Sequence, residues 1–199
     1  MRILMTPRLA IIAAASAVCA CSSAAPAPRP LPAPSPTSPA PAPPPSTPRG
    51  PALTATATLR DLAGGRVGTV TFTDSYTGVL VSGTVSGLGL GAHGIHIHEV
   101  GRCEAPFTSA GAHFNPEHRQ HGFKNPQGSH LGDMPNIDTP AAGPLKFEFL
   151  LPGVTIKGNN ALLDGDGAAI VVHGARDDYL TDPAGNSGGR IACGVIVRS

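Results

Sequence analysis

What the sequence lacks narrows the field first. No window repeats apolar residues at helical spacing, which excludes a helical bundle. The one conspicuous apolar run, Leu9 to Val18, falls short of the ~18 residues that a membrane-spanning helix needs. There is no basic excess. From Ala52 onward ten Lys and Arg face thirteen Asp and Glu, a net charge of −3, so nothing there suggests nucleic acid. An anionic substrate would need a local positive group, because this part of the chain as a whole does not attract it. Cysteine is scarce: four in all, two of them within the first 21 residues.

What is present divides the chain in three. Residues 1–20 have a basic start (Arg2, Arg8) and a short apolar stretch ending in small residues, the layout of a secretory signal peptide. The run Val18-Cys19-Ala20-Cys21, followed by two serines, resembles a bacterial lipoprotein cleavage site with Cys21 as the acylated first residue, although Cys19 is unusual there. Ordinary cleavage after Ala24-Ala25, giving a soluble product, is the alternative. On the lipoprotein reading residues 21–51 are a lipidated Cys plus a Pro/Ala-rich tether, expected to be extended because it has nothing to bury. A plain linker with no membrane at its far end is the blander reading. Residues 52–199 have the size of one domain with one core. The expected location is extracytoplasmic, in a periplasm or at a cell surface, attached to a membrane through lipid on Cys21.

Processing leaves only Cys103 and Cys193, and one pair in an exported domain reads as one disulfide. Closing so long a loop stabilises by roughly 4–5 kcal/mol in the chain-entropy model. Two buried free thiols are the alternative.

The rest of the domain reads as β. Thr54 to Leu59, Val67 to Thr73, Val79 to Val85, Ala92 to Glu99, Leu145 to Leu150, Ala168 to His173 and Arg190 to Val197 are short runs bounded by Gly, Pro, Asn or Asp. So many strands argue for an antiparallel sandwich or barrel. The stretch from Val100 to Pro144 shows little periodicity, and a loop of that length is usually functional or tied down by a ligand.

All eight histidines lie between His93 and His173. His96 and His98, two apart in a strand, emerge on one face ~6–7 Å apart and can chelate one ion, although such a pair also arises by chance. His113, His121, His130 and Asp133 lie on a Gly/Pro-rich stretch and form a donor set suited to tetrahedral zinc. Imidazole suits copper equally, and geometry must separate the metals. His173 ends a buried-looking strand, where an unpaired imidazole is costly unless ligated or hydrogen-bonded. His93 reads as a backbone-bonding histidine and His118 as a surface one. Asp164-Gly165-Asp166-Gly167 is a turn too short for a calcium loop.

The runs Gly91-Ala92-His93-Gly94-Ile95-His96-Ile97-His98-Glu99, Gly111-Ala112-His113-Phe114-Asn115-Pro116, His130-Leu131-Gly132-Asp133 and Gly189-Arg190-Ile191-Ala192-Cys193-Gly194-Val195-Ile196 closely resemble the copper–zinc superoxide dismutases, bacterial exported members included. The resemblance implies an all-β, Greek-key β-sandwich or flattened eight-stranded barrel, immunoglobulin-like, with long metal-binding loops. It implies copper on His96, His98, His113 and His173, and zinc on His113, His121, His130 and Asp133, with His113 shared. Asp177 corresponds to the acid that ties a copper-ligand histidine to a zinc-ligand one, Arg190 to the arginine beside copper, and Cys103–Cys193 to the family disulfide. Residues 103–113 are longer than in the commonest eukaryotic form. The segment Asp178 to Gly188 is short and lacks that form's lysine-and-glutamate guidance loop, which puts steering and dimer mode in question and leaves a homodimer open.

The implied activity is disproportionation of superoxide to dioxygen and hydrogen peroxide, with Arg190 and His113 as catalytic residues. Copper supplies the redox couple, zinc holds the loop, and His113 is suited to carrying a proton because loss of a metal moves its proton affinity across neutral pH. Arg190 stays charged and would hold the anion. The rivals are a non-enzymatic copper-binding envelope protein, which needs neither bridge nor Arg190, and a zinc hydrolase, which needs the zinc position that Asp133 closes. A third is a structural relative with metals but blocked access, which only activity measurements exclude.

Overall fold

In the computed structural model of the chain the described residues are 52–199. The signal peptide expected over 1–20, the lipidation site Cys21 and the tether to residue 51 lie outside them.

Ten strands follow one another: β1 Thr54–Asp61, β2 Arg66–Asp74, β3 Gly78–Val85, β4 Gly91–His93, β5 Ile95–His98, β6 Ile137–Thr139, β7 Leu145–Pro152, β8 Ala169–His173, β9 Arg190–Val195 and β10 Val197–Arg198. Among the described residues the only helical element is a single 3-10 turn, Thr108–Ala110. The main sheet is eight-stranded in the order β5-β8-β9-β1-β2-β3-β7, with β10 paired to β1, and β4 and β6 form a two-stranded ribbon. Every strand pairing is antiparallel. After the β1-β2-β3 meander the chain crosses to the far edge for β5, returns beside β3 as β7, and crosses again to β8. That is the Greek-key path, here a curled sheet wrapped on one core.

Alternation builds the first half. Ala55, Ala57 and Leu59 of β1, Val70 and Phe72 of β2, and Val79 and Val81 of β3 are buried. Threonines take the other face in register, Thr56 opposite Thr71 and Thr58 opposite Thr69. A fully buried Leu59 or Phe72 contributes roughly 1.5–3 kcal/mol.

The β5-β8-β9 side differs, because β5 and β8 are buried on both faces. Ile95, Ile97, Ile170 and Val172 enter the main core, while Ala169 and Val171 face a second cluster with Phe107, Ala110 and Cys193. The segment after β5 covers that outer face. It is pinned by the Cys103–Cys193 disulfide, Cα–Cα 5.6 Å, so the two thiols are not free.

Two expected strands are interrupted. The run Ala92 to Glu99 breaks at Gly94, whose N–H donates to Ala175 O at 2.9 Å and whose carbonyl accepts from His173 N–H at 2.8 Å. A Cβ at Gly94 would stand 2.9 Å from Ser187 Cβ and 3.3 Å from Asp177 Cβ, so only glycine admits this approach. Arg190 to Val197 breaks where Ile196 N–H donates to Ala168 O, and β10 turns to β1 instead. Strand β6 lies within the stretch expected to be loop throughout.

Candidate metal centre

The site grows from β5. Because Ile95 and Ile97 take the core, His96 and His98 share the opposite face. The backbone of Ile97 between them docks two loop segments. Its carbonyl accepts from Phe114 N–H at 2.8 Å, its N–H donates to Gly132 O at 2.9 Å, and Gly132 N–H closes the set on Phe114 O at 2.9 Å. Single-residue bridges thereby set His113 beside His98 and Asp133 beside His96. Strand β8, paired with β5, delivers His173.

His96, His98, His113 and His173 each offer one ligand atom, all within 4.8 Å of one another, and all four are buried. One nitrogen of each ring is occupied. His96 Nε2 meets Asp177 Oδ2 at 2.9 Å, His98 Nδ1 meets Gly111 O at 3.0 Å, His113 Nδ1 meets Asp133 Oδ1 at 3.0 Å, and His173 Nδ1 meets Gly188 O at 3.3 Å. The other nitrogen of each, Nδ1 of His96 and Nε2 of the remaining three, is buried without a partner. A buried polar atom left unpaired is costly and rare, and four converging on one point fit a cation. Burial also keeps these rings neutral, as a metal requires. It lowers the pKa of His96, of His98 to about 2, of His113 to about 4 and of His173 to about 3.

On the other side of His113 a second set assembles. Asp133 Oδ1 stands 3.0 Å from His113 Nδ1, 3.0 Å from His121 Nδ1 and 3.3 Å from His130 Nδ1, and the last is 3.4 Å from His113 Nδ1. Four ligands held at ~2.0–2.1 Å around tetrahedral zinc are ~3.3–3.4 Å apart, so these atoms already sit near that spacing. Asp133 Oδ2 accepts the N–H groups of Gly122 (2.9 Å) and His130 (3.0 Å), which turns Oδ1 toward the rings. Burial alone would raise the Asp133 pKa; hydrogen bonds from the histidines outweigh it and hold the carboxyl well below the usual range. His96 also approaches this set within 4.8 Å, but with its Nε2 taken by Asp177 it belongs with the first, and His130 is the fourth member here.

Asp177, fully buried, joins the two sets: Oδ2 to His96 Nε2 at 2.9 Å and Oδ1 to His121 Nε2 at 3.0 Å. With Nε2 of each ring turned to Asp177, Nδ1 of His96 is left without a partner and Nδ1 of His121 faces Asp133 Oδ1. For His121, burial is outweighed by Asp133 and Asp177, which push its pKa up to about 9. Gly185, at φ +62°, lies so close that a Cβ would overlap Asp177 Oδ1. Arg190 donates to Phe107 O and Gly111 O, 2.6 Å each, and pairs with no acid among the described residues, so its charge is left for an anion.

His93 binds the backbone, its Nδ1 2.8 Å from His173 O, and His118 is exposed, as expected of both. Asp164 caps its own turn through Gly167 N–H at 2.9 Å. Sequence reasoning missed Asn136, which clasps Asp177 twice: Asn136 Oδ1 accepts from Asp177 N–H at 2.8 Å and Nδ2 donates to Asp177 O at 2.9 Å. Its position three residues after Asp133 was the only signal.

The sequence matches the copper/zinc superoxide dismutase (SODC) family over residues 66–196. The chain belongs to that family. As a copper/zinc superoxide dismutase family member it is 46% identical over 137 residues to superoxide dismutase [Cu-Zn] 1 of Aquifex aeolicus, covering 67% of this chain and 81% of that one. It is 44% identical over 147 residues to superoxide dismutase [Cu-Zn] of Caulobacter vibrioides, covering 71% and 84%. Among solved structures a SOD-like protein from Bacillus subtilis aligns with TM-score 0.68 at 38% identity, covering 70% of this chain and 96% of that one. The clock protein EA4 aligns with TM-score 0.63 at 33% identity, covering 76% and 98%. The family's two metals match the two donor sets that meet at His113.

Proposed function

We propose that this chain is an exported copper–zinc superoxide dismutase in which His96, His98, His113 and His173 hold copper, and His113, His121, His130 and Asp133 hold zinc. The reaction converts two superoxide anions and two protons into one dioxygen and one hydrogen peroxide. The observation that carries the assignment is the pairing of four unpartnered ring nitrogens with a near-tetrahedral set, both drawing on the one ring of His113. Copper supplies the one-electron exchange in both directions and zinc a fixed charge that does not change oxidation state.

The chain's own residues do the rest. Arg190, fixed by two carbonyls, binds the anion and offsets the negative charge of the domain. His113, with Nδ1 held on the Asp133 side, has Nε2 as the atom that takes up and gives back a proton toward the substrate. Asp177 fixes the tautomers of His96 and His121. Asp133 would be the fourth zinc donor beside three histidines, which disfavours a hydrolase, since that chemistry needs an open position. The copper-carrier alternative gives no role to the shared ring or to Arg190.

The same proposal extends to export by residues 1–20, attachment to a membrane through lipid on Cys21, a periplasmic or cell-surface location, and pairing of two chains as a homodimer. The sequence of residues 1–51 supports the first three, and sedimentation of the purified protein reads the last. The central test is a superoxide dismutation assay on the copper- and zinc-loaded protein, with chelated apoprotein and cyanide as controls. Catalysis that disappears with the metals is expected. A loaded protein no faster than free buffer leaves the copper-carrier reading in its place.

A further inference from the structure

Tyr179 supplies no ligand, yet it is hydrogen-bonded to the segments that follow His121 and Asp133, two of the zinc-side donors. Its φ is +63°, a left-handed conformation that bulky side chains rarely adopt and that persists only where the surroundings impose it. Three hydrogen bonds impose it here. The Tyr179 N–H donates to Asp177 Oδ1 at 2.6 Å, its carbonyl accepts from Lys124 N–H at 2.9 Å, and its hydroxyl accepts from Asn136 N–H at 2.6 Å. The ring stands 5.4 Å from Phe123, with Lys124 Nζ 5.5 Å above it. Gly122, next to His121, has no room for a Cβ against the Tyr179 carbonyl.

Lys124 follows His121 by three residues, and Asn136 follows Asp133 by three. Asn136 in turn clasps the Asp177 backbone through both ends of its amide. The Asp177 carboxylate must serve two rings at once, and Oδ1 divides itself between His121 Nε2–H and Tyr179 N–H. A small rotation of that carboxylate would release one ring or the other. Resting on the metal assignment above, we propose that Tyr179, acting with Asn136, is the positioning residue that keeps Asp177 aligned with His96 and His121 together. The phenol hydroxyl fixes the distance between the turn carrying Asn136 and the turn carrying Asp177. Without it the turn that presents Tyr179 N–H to Asp177 is less firmly placed, and the outer support of the zinc ligand His121 weakens.

The test compares wild-type protein with Tyr179→Phe, both loaded with copper and zinc. Zinc transfer to a chelator is timed below both melting transitions, and the copper(II) spectrum is followed in parallel. Loss of the direct outer partner of a metal ligand weakens metal binding by ~10–100-fold; Tyr179→Phe leaves Asp177 in place and only loosens it, so zinc should be released several-fold faster, up to ~10-fold. Its copper spectrum should change in step with the zinc lost. Phe123→Leu, which removes the ring neighbour and spares the hydroxyl, should release zinc at the wild-type rate. Wild-type release by Tyr179→Phe overturns the proposal, including the case in which its melting temperature alone falls. Asn136→Ala removes the other half of the clasp and should match Tyr179→Phe; a wild-type rate there counts equally against it. A wild-type protein that holds no zinc at all would instead overturn the metal assignment, so the two failures are distinct.

Discussion

Strands β1, β2, β3 and β7 and strands β5, β8 and β9 belong to one sheet, yet the two groups are finished differently. In the first, one face meets the core and the other presents threonine and charged side chains, so the strands need nothing further. In the second, β5 and β8 are buried on both faces, and what fills the outer face is four histidines and a disulfide-pinned segment. Those histidines leave unpaired nitrogens that no protein group satisfies. One half is therefore complete with strand pairing and apolar burial, and the donor sets of the other await metals.

The sharpest way to break this comparison is to damage the first half and look at the second. Phe72→Ala should cost ~3–5 kcal/mol in global stability, read by denaturant unfolding, while copper and zinc content stay at wild-type levels. If metal content falls with it, the two halves are not separable. Stripping both metals is the converse. Each metal present at ~1,000 times its dissociation constant stabilises by about 4 kcal/mol, so the two together contribute about 8 kcal/mol, and a domain of this size shifts by ~2–4 °C per kcal/mol. Calorimetry should therefore show the metal-free protein melting ~16–32 °C lower, with amide exchange rising first around β5 and the histidine loops. Uniform exchange across β1, β2 and β3 would contradict the division.

Asp177→Asn probes the join between the sets. An amide must present a donor to one of two N–H groups, so zinc affinity should drop ~10–100-fold, as competition with a chelator would show. A pH series reads the rings themselves. In the metal-free protein His98, His113 and His173 have folded pKa values below the ordinary ~6.5, so the unfolded chain binds their protons first and stability falls as pH drops below ~6.5. His121 has the opposite sign: its contribution is lost as pH rises from ~6.5 through about 9. Metal-free stability should peak near pH ~6.5, and a monotonic rise to pH ~9 would contradict these environments.

Much of this was legible in the residues. The alternation of Ala55-Thr56-Ala57-Thr58-Leu59 names its own faces, and Ile95-His96-Ile97-His98 states in four residues that a core side and a ligand side share a strand. The family resemblance adds His173 to the implied ligands, more than sixty residues from His98. Other features depend on contacts between distant segments. Gly94 interrupts a well-formed strand pattern because residues 173–175 claim its backbone. Strand β6 has only three residues, and its partner β4 is as short, so neither carries a periodicity to read. Asn136 and Tyr179 look like ordinary loop residues until Asp177 is placed between them.

Gly111 offers one peptide oxygen to two groups, His98 Nδ1 at 3.0 Å and the Arg190 guanidinium at 2.6 Å. The side chain that would greet an incoming anion and a ring that would face the reacting centre thus hang from the same peg. Tilting that peptide would shift substrate capture and electron affinity together. Neither property of this enzyme can drift at that loop without dragging the other along.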